Sequence, residues 1–84
     1  MYSVGVKSTA LRELKALPAK VRNKSIEVID RLELNPRPSG CKKLTGSDNR
    51  WRIRIGDHRI LYEIDDTNRS VVIFRVSHRK TAYR

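Results

Sequence analysis

A chain of 84 residues holds one small domain, because at this length only about 60% of the surface exposed by the unfolded chain is buried on folding. Nineteen Lys and Arg against nine Asp and Glu give a net charge of +10, and with 38% hydrophobic residues the core is lean and the surface suits a polyanion. The lone Cys41 excludes an internal disulfide framework, and no His/Cys set at zinc spacing accompanies it, so a structural zinc is excluded too.

Met1 to Lys7 lacks the apolar stretch of a signal peptide, and no run approaches the roughly 18 apolar residues of a membrane span, so a soluble cytoplasmic protein is expected. Residues 2–7 alternate around Tyr2, Val4 and Val6, which predicts a strand. Ser8-Thr9 offers an N-cap to a short helix carrying Leu11, Leu14 and Leu17. Pro18 suits the first turn of a second helix, in which Val21, Ser25, Val28, Ile29 and Leu32 fall on one stripe before Asn35-Pro36 ends it. The two helices form a hairpin, each with one apolar face. The breakers from Asn35 to Gly40 make a loop and not an interdomain linker, so residues 1–84 are expected to form a single domain.

From Trp51 the period becomes two, with Trp51, Ile53 and Ile55 on one side and Arg52 and Arg54 on the other. Gly56-Asp57-His58 turns the chain into a second strand carrying Ile60, Tyr62 and Ile64, and Asp66-Thr67-Asn68-Arg69 turns it again into residues 71–76. The expected fold is α+β in the order β-α-α-β-β-β, a small antiparallel meander sheet of about four strands. The helical hairpin covers one face of that sheet and leaves the other open.

The positive charge sits mainly in the second half. Before Pro36 seven Lys/Arg and four Asp/Glu give +3, and after it twelve and five give +7. Nine of those twelve are Arg, whose planar fork pairs bidentately with phosphate and stacks on bases. Arg52 and Arg54 are two strand residues apart, about 6.5–7 Å, close to the spacing of phosphates along a strand of nucleic acid. Arg59 opens the next strand beside them. Arg79 follows the last strand, and Tyr83 lies four residues beyond, in reach of a base to stack on. The plainer counterpart is solvated edge charge that keeps the sheet from aggregating.

No carboxylate pair accompanies this cluster, since Asp65 and Asp66 sit at a turn and Asp57 is isolated, which argues against a two-metal nuclease. RNA offers a route without metal, in which the 2′-OH attacks its own 3′ phosphate. Arginine stabilises the charge of that step well but cannot take the proton, because its guanidinium stays protonated at any working pH. His58, His78 and Tyr83 remain as titratable groups. His78, beside Arg79, is the candidate base, since neighbouring positive charge favours a neutral imidazole.

Three stretches carry a family resemblance: Lys42-Lys43-Leu44-Thr45-Gly46, Trp51-Arg52-Ile53-Arg54-Ile55-Gly56-Asp57-His58-Arg59-Ile60-Leu61-Tyr62, and Val76-Ser77-His78-Arg79-Lys80-Thr81-Ala82-Tyr83. With the strand–helix–helix opening, nearly the whole chain resembles the RelE branch of the RelE/ParE superfamily of toxins from bacterial and archaeal toxin–antitoxin modules. The resemblance implies a ribosome-dependent endoribonuclease that cuts messenger RNA in the A site, needs no cofactor or metal, and is held inactive by a co-expressed antitoxin. It implies that Arg52 and Arg54 contact the scissile region, that Arg59 and Arg79 brace the phosphate, and that Tyr83 orients the messenger base. Lys42, Lys43, Arg50, Lys80 and Arg84 are the further cations expected to contact RNA and ribosome. Such toxins usually carry lysines at the two strand positions, so Arg52 and Arg54 leave the base open between His78 and water relayed through Arg52. Arg84 ends the sequence one residue after Tyr83, so the longer C-terminal helix of some relatives is expected to be lacking.

Two other classes compete. A ParE-type toxin binds DNA gyrase and cuts nothing, and such members generally lack the clustered arginines together with a terminal aromatic. A basic RNA- or ribosome-binding module without catalysis would satisfy the composition alone. For a toxin, a +10 surface with an open sheet face invites an antitoxin with an acidic, partly disordered segment that folds on binding, in a heterodimer or heterotetramer.

Overall fold

The computed structural model describes residues 1–78, which form two helices and a five-stranded sheet. The elements in chain order are β1 (Ser3–Val6), α1 (Ser8–Lys15), α2 (Ala19–Arg31), β2 (Lys42–Lys43), β3 (Arg50–Ile55), β4 (His58–Asp65) and β5 (Ser70–His78). The sheet order is β1-β5-β4-β3-β2, with β1 parallel to β5 and every other pair antiparallel. The α+β meander is thus as expected for β3 to β5, with two differences: one strand more, and β1 joined in parallel and not antiparallel, because the helices carry the chain away from β1 before the meander begins. The added β2 is two lysines long and has no alternation to betray it; it pairs Lys42 with Arg52 and Lys43 with Trp51.

The helices begin differently from the sequence pattern. Ser8 is the first residue of α1, and Lys7 caps the helix without a side-chain bond. The reason is that Lys7 is shared: its N–H donates to the Ile73 carbonyl in the sheet at 2.9 Å, while its own carbonyl accepts from Leu11 N at 2.8 Å. Strand and helix therefore meet with no spacer. Pro18 occupies the N-cap of α2, one position ahead of its first turn. In α1 the buried side is Ala10 and Leu14, while Leu11 stays 39% exposed; Leu17, expected on the same helix, lies past its C-cap Ala16 and is partly buried. In α2 the stripe falls as expected, with Ser25, Ile29 and Leu32 buried and Val21 and Val28 packed beside them. The Ser25 hydroxyl is satisfied by the Val21 carbonyl at 2.8 Å, the local back-bond a buried serine in a helix needs.

α1 lies against β5 and α2 against β3. The core between helices and sheet takes Ile53 and Ile55 from β3, Ile60, Tyr62 and Ile64 from β4, and Val71, Ile73 and Val76 from β5. Gly56 has φ 58°, as the first central position of a tight two-residue hairpin requires, and holds Ile55 opposite His58. In β5 the alternation breaks: Leu61 faces Arg75 but Tyr62 faces Ile73, so Phe74 is the extra residue of a bulge.

The loop after α2 is tied down from two sides. The buried Tyr62 hydroxyl donates to the Pro36 carbonyl at 2.9 Å, and burial, with Cys41 nearby, pushes that phenol up. Arg37 grips Asp66 with two bonds, of 2.8 and 3.2 Å, and the Tyr2 hydroxyl donates to the same carboxylate at 2.6 Å. The Arg37 bond, then that of Tyr2, holds the Asp66 carboxyl below the usual carboxylate range, and Asn68 does the same for Asp65 through its backbone N–H at 3.1 Å and side-chain amide at 2.8 Å. A lowered folded-state pKa contributes stability above the unfolded value and loses it as pH falls through the folded one. Acid should therefore loosen β1, the loop and the β4–β5 turn together. Asp66→Asn should flatten the acid limb of a melting-temperature profile; an unchanged limb would remove Asp66 from the account.

Candidate nucleic-acid interface

The register builds a cationic face from the strands up. Lys42 stands opposite Arg52 and Arg52 opposite Leu61, while Arg54 stands opposite Arg59 and Arg59 opposite Ser77. Directly opposed residues share a face, so Lys42, Arg52, Arg54, Arg59 and Ser77 all lie on the side away from the helices. Arg54 is exposed, Arg52 partly so, and Arg59 is buried at 8% exposure. Two arginines at directly opposed positions, with Cβ atoms about 4.5–5.5 Å apart, repel each other. Arg52 and Arg54 make no ion pair among the described residues, and the two carboxylates that β4 carries on this alternation are engaged elsewhere, Glu63 by Arg50 at 3.0 Å and Asp65 by Asn68 at the turn. Uncompensated guanidinium groups held by a rigid sheet are a preorganised site for phosphate charge.

The other expected site residues separate. Arg50 belongs to the same face but is engaged, by Glu63 and by the Phe74 ring 4.8 Å from its guanidinium carbon. Lys43 pairs with Trp51 on the helix side, with its Nζ 6.0 Å from the indole centroid, where Arg37 also sits at 5.0 Å. His78 pairs with His58, their rings meeting edge to face at 5.3 Å. The strand alternation puts both with Ile60 and Val76, on the face opposite Arg54 and Arg59. Arg79, Lys80, Tyr83 and Arg84 lie outside the described residues.

Two members of the face were not picked out from the sequence. Ser77 is buried, and its hydroxyl has no hydrogen-bond partner among the described residues. Leu61 is buried on the arginine side, outside the main core. The signal for Ser77 was available: in Val71-Val72-Ile73-Phe74-Arg75-Val76 the apolar period skips at Arg75, which shifts Val76 inward and Ser77 outward. A separate cleft of about 470 Å³, lined by Lys20, Val21, Lys24, Ile55 and Gly56 among others, lies between α2 and the β3–β4 turn. Among the described residues no group of three or more His, Cys, Asp or Glu side chains is brought together as for a metal, and no helix is long and apolar enough to cross a membrane.

This architecture and face define a class. The family model described as ParE toxin of type II toxin-antitoxin system, parDE, matches residues 4–83, and the chain belongs to the RelE/ParE superfamily of toxins from type II toxin–antitoxin modules. Within it the relatives place the chain in the RelE branch. It is 35% identical over 86 aligned positions to the putative toxin RelE1 of Methanocaldococcus jannaschii, covering 99% of this chain and 96% of that one. A structure of the RelBE2 toxin–antitoxin complex of Mycobacterium tuberculosis superposes with a TM-score of 0.79 at 35% identity, covering 93% of this chain and 98% of the other. The archaeal RelE–RelB complex of Pyrococcus horikoshii gives 0.84 at 27% identity, with 96% and 98% covered.

Proposed function

We propose that this toxin is a ribosome-dependent endoribonuclease that cuts messenger RNA in the A site and so stops translation. The observation carrying this reading is the face of Arg52, Arg54 and Arg59, positive charge gathered on one side of the sheet with no carboxylate pairing with Arg52 or Arg54 among the described residues. The 2′-OH attacks the adjacent phosphorus, forming the P–O2′ bond as the P–O5′ bond breaks. The products are a 2′,3′-cyclic phosphate and a 5′-OH. Arg54, Arg59 and Arg79 stabilise the doubly charged phosphorane, and Arg52 contacts the scissile region. Tyr83 stacks on the messenger base, and Lys42, Lys43, Arg50, Lys80 and Arg84 hold RNA and ribosome. The route asks for no metal or cofactor. The proton of the 2′-OH leaves through water relayed by Arg52, and a proton returned from the same water protonates the departing 5′ oxygen to give the 5′-OH; His78 is not used, because it is directed with His58 to the opposite face.

The partner that restrains it is an antitoxin whose acidic, partly disordered segment covers the arginines, in a heterodimer or heterotetramer. Solved relatives are RelE–RelB complexes, which supports this. Work on ribosomes places the activity in the cytoplasm. A second reading, gyrase inhibition without cleavage, is favoured by the family model's ParE description. Mapping messenger 5′ ends after induction separates the two, with an Arg79→Ala control. The expected result is growth arrest with cuts confined to translated messages and absent in the variant. Arrest with intact messages and altered DNA supercoiling would establish gyrase inhibition, and no arrest would leave a binding module.

A further inference from the structure

The end of β5 is held from outside the sheet, by a side chain of α1. β1 flanks β5 only from Ser70 to Ile73, so beyond Ile73 the outer edge of β5 has no strand beside it. There α1 supplies a substitute. Glu13 accepts from the Val76 backbone N–H through one carboxylate oxygen and from Arg75 Nε through the other, both at 2.8 Å. The Glu13 side chain is only 25% exposed and the bonds are charge-assisted, which puts them among the stronger ones.

Their position matters more than their number. Phe74 is the extra residue of the bulge, and Glu13 binds the two residues that follow it. In the bulged register Val76 lies inward against Ile60, Ser77 stands opposite Arg59, and His78 meets His58. A strand without the bulge would exchange these faces, sending Arg75 toward the core, Val76 outward, Ser77 inward and His78 toward the arginines. Bulges near sites re-aim side chains in this way.

We propose that Glu13 is a positioning residue for the arginine face, locking the bulged register of β5 that sets Ser77 against Arg59. The inference rests on the nuclease reading above. Glu13 touches neither message nor phosphate; it acts through the backbone of Val76.

The test measures single-turnover cleavage on programmed ribosomes beside amide exchange of the purified toxin. Glu13→Ala should lower the cleavage rate by about 10- to 100-fold, the range in which a misplaced site loses activity, with ribosome affinity unchanged. Protection should fall at Val76 and stay native at Ile29 and Leu32. Glu13→Gln keeps an oxygen for the Val76 N–H and should recover most of the rate, and Arg75→Ala, which leaves that bond intact, should resemble the native chain. Native cleavage by Glu13→Ala despite lost Val76 protection would overturn the proposal, as would a rate loss matched by lost protection throughout the core. A native toxin that cuts nothing on ribosomes would remove the nuclease reading itself. Val76 protection then judges the register lock alone, and full protection in Glu13→Ala would dispose of it.

Discussion

Arg54→Ala should reduce messenger cleavage by about 100- to 1,000-fold, the loss typical when one preorganised donor to transition-state charge is removed, and should leave the toxin at least as stable as before. The second half of that expectation is the more telling. Arg54 is exposed and stands directly opposite Arg59, and no carboxylate pairs with it among the described residues. A like-charge pair directly opposed across two strands is destabilising, so truncating Arg54 relieves repulsion and removes little packing. Activity and stability should move in opposite directions, which a merely solvating charge would not produce. Arg54→Lys should fall between, keeping the charge but losing the fork that grips two phosphate oxygens. Single-turnover cleavage and thermal melts on the same preparations decide it. If Arg54→Ala cut at the native rate, the face would be a surface for ribosome or antitoxin and not a place of chemistry.

The arginine face was legible because a strand's alternation is strict. Once Trp51, Ile53 and Ile55 face the core, Arg52 and Arg54 can only face away, and a two-residue turn at Gly56-Asp57 brings Arg59 opposite Arg54. The helical stripe through Ser25, Ile29 and Leu32 was legible for the same reason at a different period. What escaped depended on long-range partners. β2 is two lysines made into a strand by the edge of β3, and no local pattern marks so short a segment. The side taken by His78 depends on one extra residue at Phe74, and a single bulge reverses every assignment downstream of it. Sequence proximity to Arg79 made His78 look like part of the cluster, and register separates it from Arg54 and Arg59. The Glu13 contact joins residues more than sixty positions apart and has no signature along the chain.

Leu32→Ala gives the opposite combination to Arg54→Ala, a toxin with its charges intact and its fold undermined. Leu32 is fully buried at the C-cap of α2, in the core cluster with Ile29 and Tyr62. The backbone just past it holds the first strand, through Tyr2 N–H donating to the Glu33 carbonyl at 2.8 Å. Removing three carbons there leaves a cavity that the sheet cannot close, for a loss of about 3 kcal/mol. A domain of this length has only about 4–13 kcal/mol in total, so the variant should lose a large share of its stability. Growth arrest should become temperature-sensitive, present in the cold and lost on warming, and the urea midpoint should drop with its slope unchanged. Leu32→Met, which nearly conserves volume, should cost less than about 1.5 kcal/mol and keep the arrest at both temperatures. Because a ligand that binds only the folded state adds to its stability, co-expressed antitoxin should raise the melting temperature of Leu32→Ala toward that of the native complex. An unchanged melt in Leu32→Ala would mean that the α2 terminus is not packed as described. A melt that falls while arrest persists on warming would mean that the ribosome itself holds the toxin folded.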